Sequence, residues 1–189
     1  MKNILFVFLI SFFSFTIISC SEEEEEVKTG LFVSVGKSGT ILTSSDGTTW
    51  TSSNSGTSHQ LNGVTRHIGK STNGKFLAVG HGATVLVSPN AISWEQFKTL
   101  KKRLWGVTYA NGTFVTVGDN IILSSSDGTT WTPRNSVSGD LFNTVNYGNG
   151  TFVAVGQSGI IYTSSDGITW TSRTSGTTNN LEDISGPNE

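Results

Sequence analysis

Short apolar runs alternate with polar, glycine-rich turns along most of this chain, and within the runs the alternation has a period of two. From residue 27 onward no segment keeps a helical spacing of apolar residues. Period-two runs broken by Gly and Asn predict half-buried β-strands joined by tight turns. One run recurs in nearly constant form: Phe32-Val33-Ser34-Val35-Gly36, then 76–80, 114–118 and 152–156. A second pattern pairs an apolar opener with Val or Ile three residues later, at Leu61 and Val64, Leu104 and Val107, Phe142 and Val145, and Leu181 and Ile184. Between the two patterns stand Asn73-Gly74, Asn111-Gly112 and Asn149-Gly150. Asn-Gly is the preferred pair of a two-residue type I′ hairpin, where both residues take positive φ. An aliphatic run such as Ile160-Ile161-Tyr162 follows each glycine, and then a polar turn leads into a Trp.

The polar turn is itself a repeat. It reads Ser-Ser-Asp-Gly-Thr-Thr-Trp at 44–50 and 125–131, Ser-Ser-Asp-Gly-Ile-Thr-Trp at 164–170, and Ser-Pro-Asn-Ala-Ile-Ser-Trp at 88–94. Trp50, Trp94, Trp131 and Trp170 mark a unit of about 40 residues, and the glycines that end the Phe-led strands keep the same step. Each unit then holds four strands: a (the opener), b (Phe-led), c (aliphatic) and d (after the Trp). Four strands in such a unit make one propeller blade. The expected fold is all-β, a small β-propeller of four blades with four antiparallel strands each. The first repeat has no strand a, and a spare strand a stands at 181–185. The C-terminal strand is therefore expected to complete the first blade and close the ring, since an open array would leave unpaired edges and apolar blade faces. An open half-ring that dimerises, or a relic of a larger propeller, are the alternatives.

Ser44, Asp46, Gly47 and Trp50, Ser125, Asp127, Gly128 and Trp131, and Ser164, Asp166, Gly167 and Trp170, with Trp94 in the divergent copy, resemble the Asp-box or BNR repeat. That repeat occurs in sialidases, photosystem II assembly factors and many bacterial propellers. Its usual form has one residue between Asp and Gly, whereas here Gly follows Asp directly. The resemblance covers most of 27–181 and implies a propeller fold, with this hairpin away from the ligand. The physics agrees with a structural role. An Asp carboxylate at a tight turn can accept backbone N–H bonds, the neighbouring Ser can do likewise, and the Trp can pack between blades.

The first 26 residues follow another rule. Met1-Lys2 and an apolar run at 4–18 have the form of a secretory signal, too short to span a bilayer comfortably. The run ends in Ile17-Ile18-Ser19-Cys20, which resembles a lipoprotein lipobox. By that resemblance 1–19 is a signal peptide, Cys20 carries the lipid, and 20–26 with its five glutamates is a solvated tether. The acidic run after Cys20 resembles the surface-export signal of Bacteroidota-type lipoproteins. An exported, lipid-anchored protein at the outer membrane or cell surface is expected, with 27–189 as the propeller domain. A single Cys excludes an internal disulfide, so the domain must hold by packing alone.

Charge adds little. Without Lys2 and the five glutamates, the 12 basic and 14 acidic side chains leave a small positive balance, and no basic stripe calls for nucleic acid. Gly36-Lys37-Ser38 and Gly69-Lys70-Ser71 lack the upstream Gly of a phosphate loop. His59, His67 and His81 have no ligand spacing, so neither metal nor cofactor is expected. A sialidase-like hydrolase would need an arginine cluster and a Tyr-Glu pair, and the domain has only Arg66, Arg103, Arg134 and Arg173. The reading is a non-enzymatic module that binds a protein or glycan or assists assembly, with a degraded sialidase-like hydrolase as the alternative. Positions that vary between repeats are the candidate binding face: Lys37, His81, Asp119 and Gln157 on the b–c turns, and Lys98, Lys101, Lys102 and Arg103 in a basic segment at 95–103 read as a d–a loop. A closed ring implies a monomer, and an open one a homodimer.

Overall fold

The computed structural model describes residues 30–67, 74–98, 101–134 and 139–187, so the signal, Cys20 and the acidic tether lie outside the described residues. The described chain forms four antiparallel sheets, the blades of a small β-propeller. The first holds β1 (Phe32–Val35), β2 (Ile41–Ser44) and β3 (Thr51–Ser53). The second holds β4 (Leu61–His67), β5 (Lys75–Gly80), β6 (Thr84–Ser88) and β7 (Glu95–Lys98). The third holds β8 (Leu104–Ala110), β9 (Thr113–Gly118), β10 (Ile121–Ser125) and β11 (Thr132–Arg134). The fourth holds β12 (Phe142–Gly148), β13 (Thr151–Gly156), β14 (Ile161–Ser164) and β15 (Thr171–Arg173).

Each sheet runs in sequence order, and the register repeats from blade to blade. Leu61, Leu104 and Phe142 stand opposite Gly80, Gly118 and Gly156, with a bulge just after each opener. The bulge turns the inner strands of neighbouring blades together: β4 packs on β8, and β8 on β12. The Asn-Gly hairpins have the expected left-handed pair, with φ of 47° and 76° at Asn111-Gly112 and 49° and 72° at Asn149-Gly150. Asn73 lies outside the described residues.

The core is not one centre but a layer between each pair of blades. Val33, Val35 and Ile41 meet Leu61, Ala78, Leu86 and Trp94 between the first and second. Leu77, Val79 and Val85 meet Leu104, Phe114, Leu123 and Trp131 between the second and third. Val115, Val117 and Ile122 meet Phe142, Phe152, Tyr162 and Trp170 between the third and fourth. In each layer the Trp of the later blade faces the earlier one, and in the second and third layers Phe114 and Phe152 do so as well.

Two expectations need correction. Residues 95–98 are not loop but the outer strand β7, which pairs Lys98 with Thr84 and Glu95 with Val87. Their polar character misled, since an outermost strand faces solvent and needs little apolar content. The C-terminal segment does not complete the first blade either. The first sheet has three strands, and 181–185 is not a strand. The Leu181 N–H donates to the Gly156 carbonyl at 2.9 Å, while the Asn143 and Asn146 amides donate to the Leu181 and Ile184 carbonyls at 2.9 and 3.2 Å. These bonds hold the segment against the fourth blade. Contacts run from each blade to the next, and among the described residues none of comparable extent joins the first to the fourth. The four blades form an open arc.

Candidate functional site

A cleft of about 570 Å³ opens where the inner strands begin. It is lined by Asn62, Arg103, Trp105, Asp119, Leu141, Asn143, Gln157 and Glu182. Two repeated positions supply most of these groups. One is the residue after each opener: Asn62, Trp105, Asn143 and Glu182. The other is the residue after each strand-b glycine, which contributes Asp119 and Gln157. The fold fixes the second position by a backbone bond. The His81, Asp119 and Gln157 N–H groups donate to the carbonyls of Gln60, Arg103 and Leu141, at 2.8, 3.0 and 2.9 Å. Framework bonds thus repeat while the side chains they present differ.

Trp105 anchors the cleft. Its indole N–H donates to Asp119 Oδ1 at 2.7 Å, which orients ring and carboxylate together. Arg103 Nε lies 4.0 Å from Asp119 Oδ2, with the arginine largely exposed. The His81 ring meets Trp105 edge to face, with centroids 5.2 Å apart. Asn62 accepts from Gln60 Nε2 at 2.8 Å and donates to the Leu104 carbonyl at 2.7 Å. Asn143 donates to Glu182 Oε2 at 3.3 Å. The cleft therefore offers amides of both polarities, one aromatic plate and two carboxylates. Beside it, Gly82, Lys101, Lys102, Arg103, Asp119 and Asn120 line a second depression of about 620 Å³. The two share Arg103 and Asp119.

The structure brings together Arg103, Asp119 and Gln157, sets Lys101 and Lys102 beside them, and places His81 on the Trp105 ring. Lys37 occupies the matching turn of the first blade and does not line the cleft. Lys98 ends β7 and lines neither depression. Asn62, Asn143 and Glu182 were not singled out from sequence, although the signal was present: the residue after the opener differs in most repeats.

The Ser-Asp-Gly turns lie elsewhere, at the c–d hairpins. Asp127 Oδ1 accepts the Thr129 and Thr130 N–H groups, both at 2.7 Å, and the Ser125 hydroxyl at 2.9 Å. Asp46 and Asp166 repeat this set. Each following Trp donates its indole N–H to the turn: Trp50 to Gly47, Trp131 to Gly128, and Trp170 to Gly167. In the divergent copy Asn90 Oδ1 accepts from Ile92 and Ser93, and Trp94 donates to the carbonyl of Ala91. Hydrogen bonds from Thr49, Thr48 and Ser44 hold the Asp46 carboxyl well below the usual carboxylate range. Burial pushes Asp127 up, but bonds from Thr130, Thr129 and Ser125 outweigh it and leave the group low. Thr169 and Ile168 lower Asp166. The four turns share one geometry, one of them with no carboxylate, and in each the side-chain oxygen accepts the hairpin's own N–H groups.

No family model and no curated protein matches this chain. Among solved structures it is similar to YCF48 bound to D1 peptide, at 19% identity and a TM-score of 0.61, covering 80% of this chain and 53% of that one. It is also similar to YCF48 from Cyanidioschyzon merolae, at 17% identity and a TM-score of 0.58, covering 82% of this chain and 54% of that one. The chain thus spans about half the length of each YCF48 structure. These likenesses support the propeller fold.

Proposed function

We propose that this chain is a lipid-anchored, non-enzymatic Asp-box propeller that holds a segment of a partner protein in the cleft around Trp105. The observation that carries the reading is the convergence of the two variable repeat positions on one cleft. A repeat framework with identical turns at one side and unlike side chains at the other is built to display the latter. Amides that both donate and accept suit a polypeptide backbone, and Trp105 gives an apolar side chain a plate to rest on. A propeller of this kind, YCF48, has been solved with a peptide bound, which supports a peptide rather than a glycan as occupant. Binding rather than hydrolysis is favoured by the chemistry of the lining. Arg103 is its one arginine, and Asp119 is tied to Trp105.

The test is a peptide array and a glycan array probed with the chain and with Trp105→Ala. Peptide capture lost in the variant, with an unchanged melting temperature, supports the reading. Glycan capture alone overturns the choice of occupant. Glycoside turnover would restore the hydrolase alternative.

The anchor is proposed from Ile17-Ile18-Ser19-Cys20 and the acidic tether, which together support attachment at the outer membrane or cell surface. Acyl chains at roughly 0.8 kcal/mol per buried CH₂ would make release negligible. Cys20→Ala should leave the detergent fraction on cell fractionation; retention there would overturn the assignment.

A further inference from the structure

Three residues of the first blade are built for a neighbour that the arc does not contain. Phe32 is 56% exposed, while its counterparts Phe76, Phe114 and Phe152 are at most 5% exposed. Phe114 and Phe152 pack in the layers against the preceding blades, and Phe76 lies under the Arg66 guanidinium. Trp50 is 41% exposed, whereas Trp94, Trp131 and Trp170 each pack into the layer between their blade and the one before. Gly36 is the third. A Cβ at Gly80, Gly118 or Gly156 would collide with the carbonyl of Gln60, Arg103 or Leu141, the residue just before the adjacent strand a. At Gly36 it would meet only Thr40, at 3.8 Å. Its φ of −166° is extended backbone open to any residue. Gly36 carries the mark of a strand that is missing.

The opposite end of the arc carries that strand. Leu181 donates to Gly156 as Leu61 donates to Gly36, each at 2.9 Å. Asn143 donates to the Leu181 carbonyl as Asn62 donates to that of Leu104. Residues 181–185 therefore stand where strand a of a following blade would stand, and no described strand pairs with them in a sheet. The free face of the fourth blade has the matching half-buried apolar pattern, with Val153 and Ile161 in the places of Val33 and Ile41.

We propose that two copies of this chain pair head to tail in both directions, and that 181–185 of each supplies the missing inner strand of the other's first blade. The register follows from β4 and β5, where Leu61, Gly63 and Val64 face Gly80, Val79 and Ala78. Leu181, Asp183 and Ile184 of one copy then face Gly36, Val35 and Ser34 of the other. Phe32 and Trp50 become buried against the other copy's fourth blade. Two four-blade arcs close into one ring by this reciprocal exchange, with four strands in every blade and no apolar blade face left open.

The experiment is native mass spectrometry and non-reducing electrophoresis of the full chain with Cys20→Ser, so that introduced thiols are the only ones. The parent should have twice the chain mass. Ser34→Cys with Ile184→Cys should give a disulfide-linked dimer that neither single variant gives. Gly36→Ala should raise the dimer dissociation constant about tenfold or more by steric clash, with circular dichroism unchanged, because the free chain has room for the methyl. A monomer mass for the parent at micromolar concentration overturns the proposal. So does an intrachain disulfide in the double variant, which would mean a ring closed within one chain, and so does a dimer indifferent to Gly36→Ala.

Discussion

At Asn90 the chain has made its own substitution experiment. The divergent hairpin keeps the two backbone bonds to Oδ1 and the Trp-to-turn bond without a carboxylate, and Ala91 takes φ of 59° where the other copies use glycine. The acceptor geometry, rather than the charge, is what the turn requires. Asp127→Asn should therefore leave stability near neutral pH almost unchanged, while Asp127→Ala loses a set of turn bonds and about 1–2 kcal/mol. Charge enters only through pH. A carboxylate held below its ordinary range in the folded state gives stability that is complete above that range and is lost as pH falls toward the folded value. For Asp46, Asp127 and Asp166, all shifted downward, the loss starts below about pH 4. Urea midpoints at about pH 7 and about pH 2.5 check this. The triple Asn variant should lose less between the two than the parent. An equal loss in both would mean that these carboxylates do not set the acid sensitivity.

At the scale of the element, the legible parts were those whose signal is local. The Asn-Gly hairpins at 111–112 and 149–150, the Phe-led strands and the Ser-Asp-Gly turns each carry their geometry in two to seven adjacent residues and form where the sequence put them, whereas β4 and β5 are joined across a longer connection at 68–74. β7 was missed because Glu95-Gln96-Phe97-Lys98 alternates weakly and lies at the outer edge, where solvent relaxes the pattern. The cleft was half legible. Asp119, Gln157 and Arg103 were found as variable loop positions, but Asn62, Asn143 and Glu182 lie within or beside inner strands. The bulge that Asn62 and Asn143 occupy after their openers leaves no mark of its own in the sequence. The blades also predict a contrast between two tryptophans of identical local sequence. Trp131 packs on the layer between the second and third blades, and Trp50 is 41% exposed. Trp131→Ala should cost about 2–4 kcal/mol by leaving a cavity. Trp50→Ala should cost distinctly less in chains diluted until they are monomeric. Thermal melts of the two variants at low concentration check the order, and equal losses would contradict the arc.

At the scale of the whole molecule, the repeat arithmetic located the vacancy in the first blade, while the expected spare strand at 181–185 is a non-strand segment held on the fourth blade, and the arithmetic could not say what fills the vacancy. Periodicity records what a strand pairs with, and Leu181 and Ile184 look the same whether their partner lies in the same copy or another. The deciding geometry is the arc itself, because the segment is held on the fourth blade and the first blade lies at the other end. Reciprocal exchange makes a prediction that no symmetric face-to-face dimer shares. Each copy has a donor end, 181–185, and an acceptor end around Gly36 and Phe32. Gly36→Ala spoils only the acceptor, and truncation after Asn180 spoils only the donor. Either variant alone damages both junctions of its own dimer. Mixed together, the Gly36→Ala copy still has an intact donor and the truncated copy an intact acceptor, so one junction of the mixed pair is fully native. Native mass spectrometry should therefore show each variant largely monomeric and the mixture enriched in the heterodimer, with circular dichroism confirming that the truncated chain is folded. If the mixture contains no more dimer than the separate variants, donor and acceptor are not the two ends of one junction, and the ring does not close by exchange.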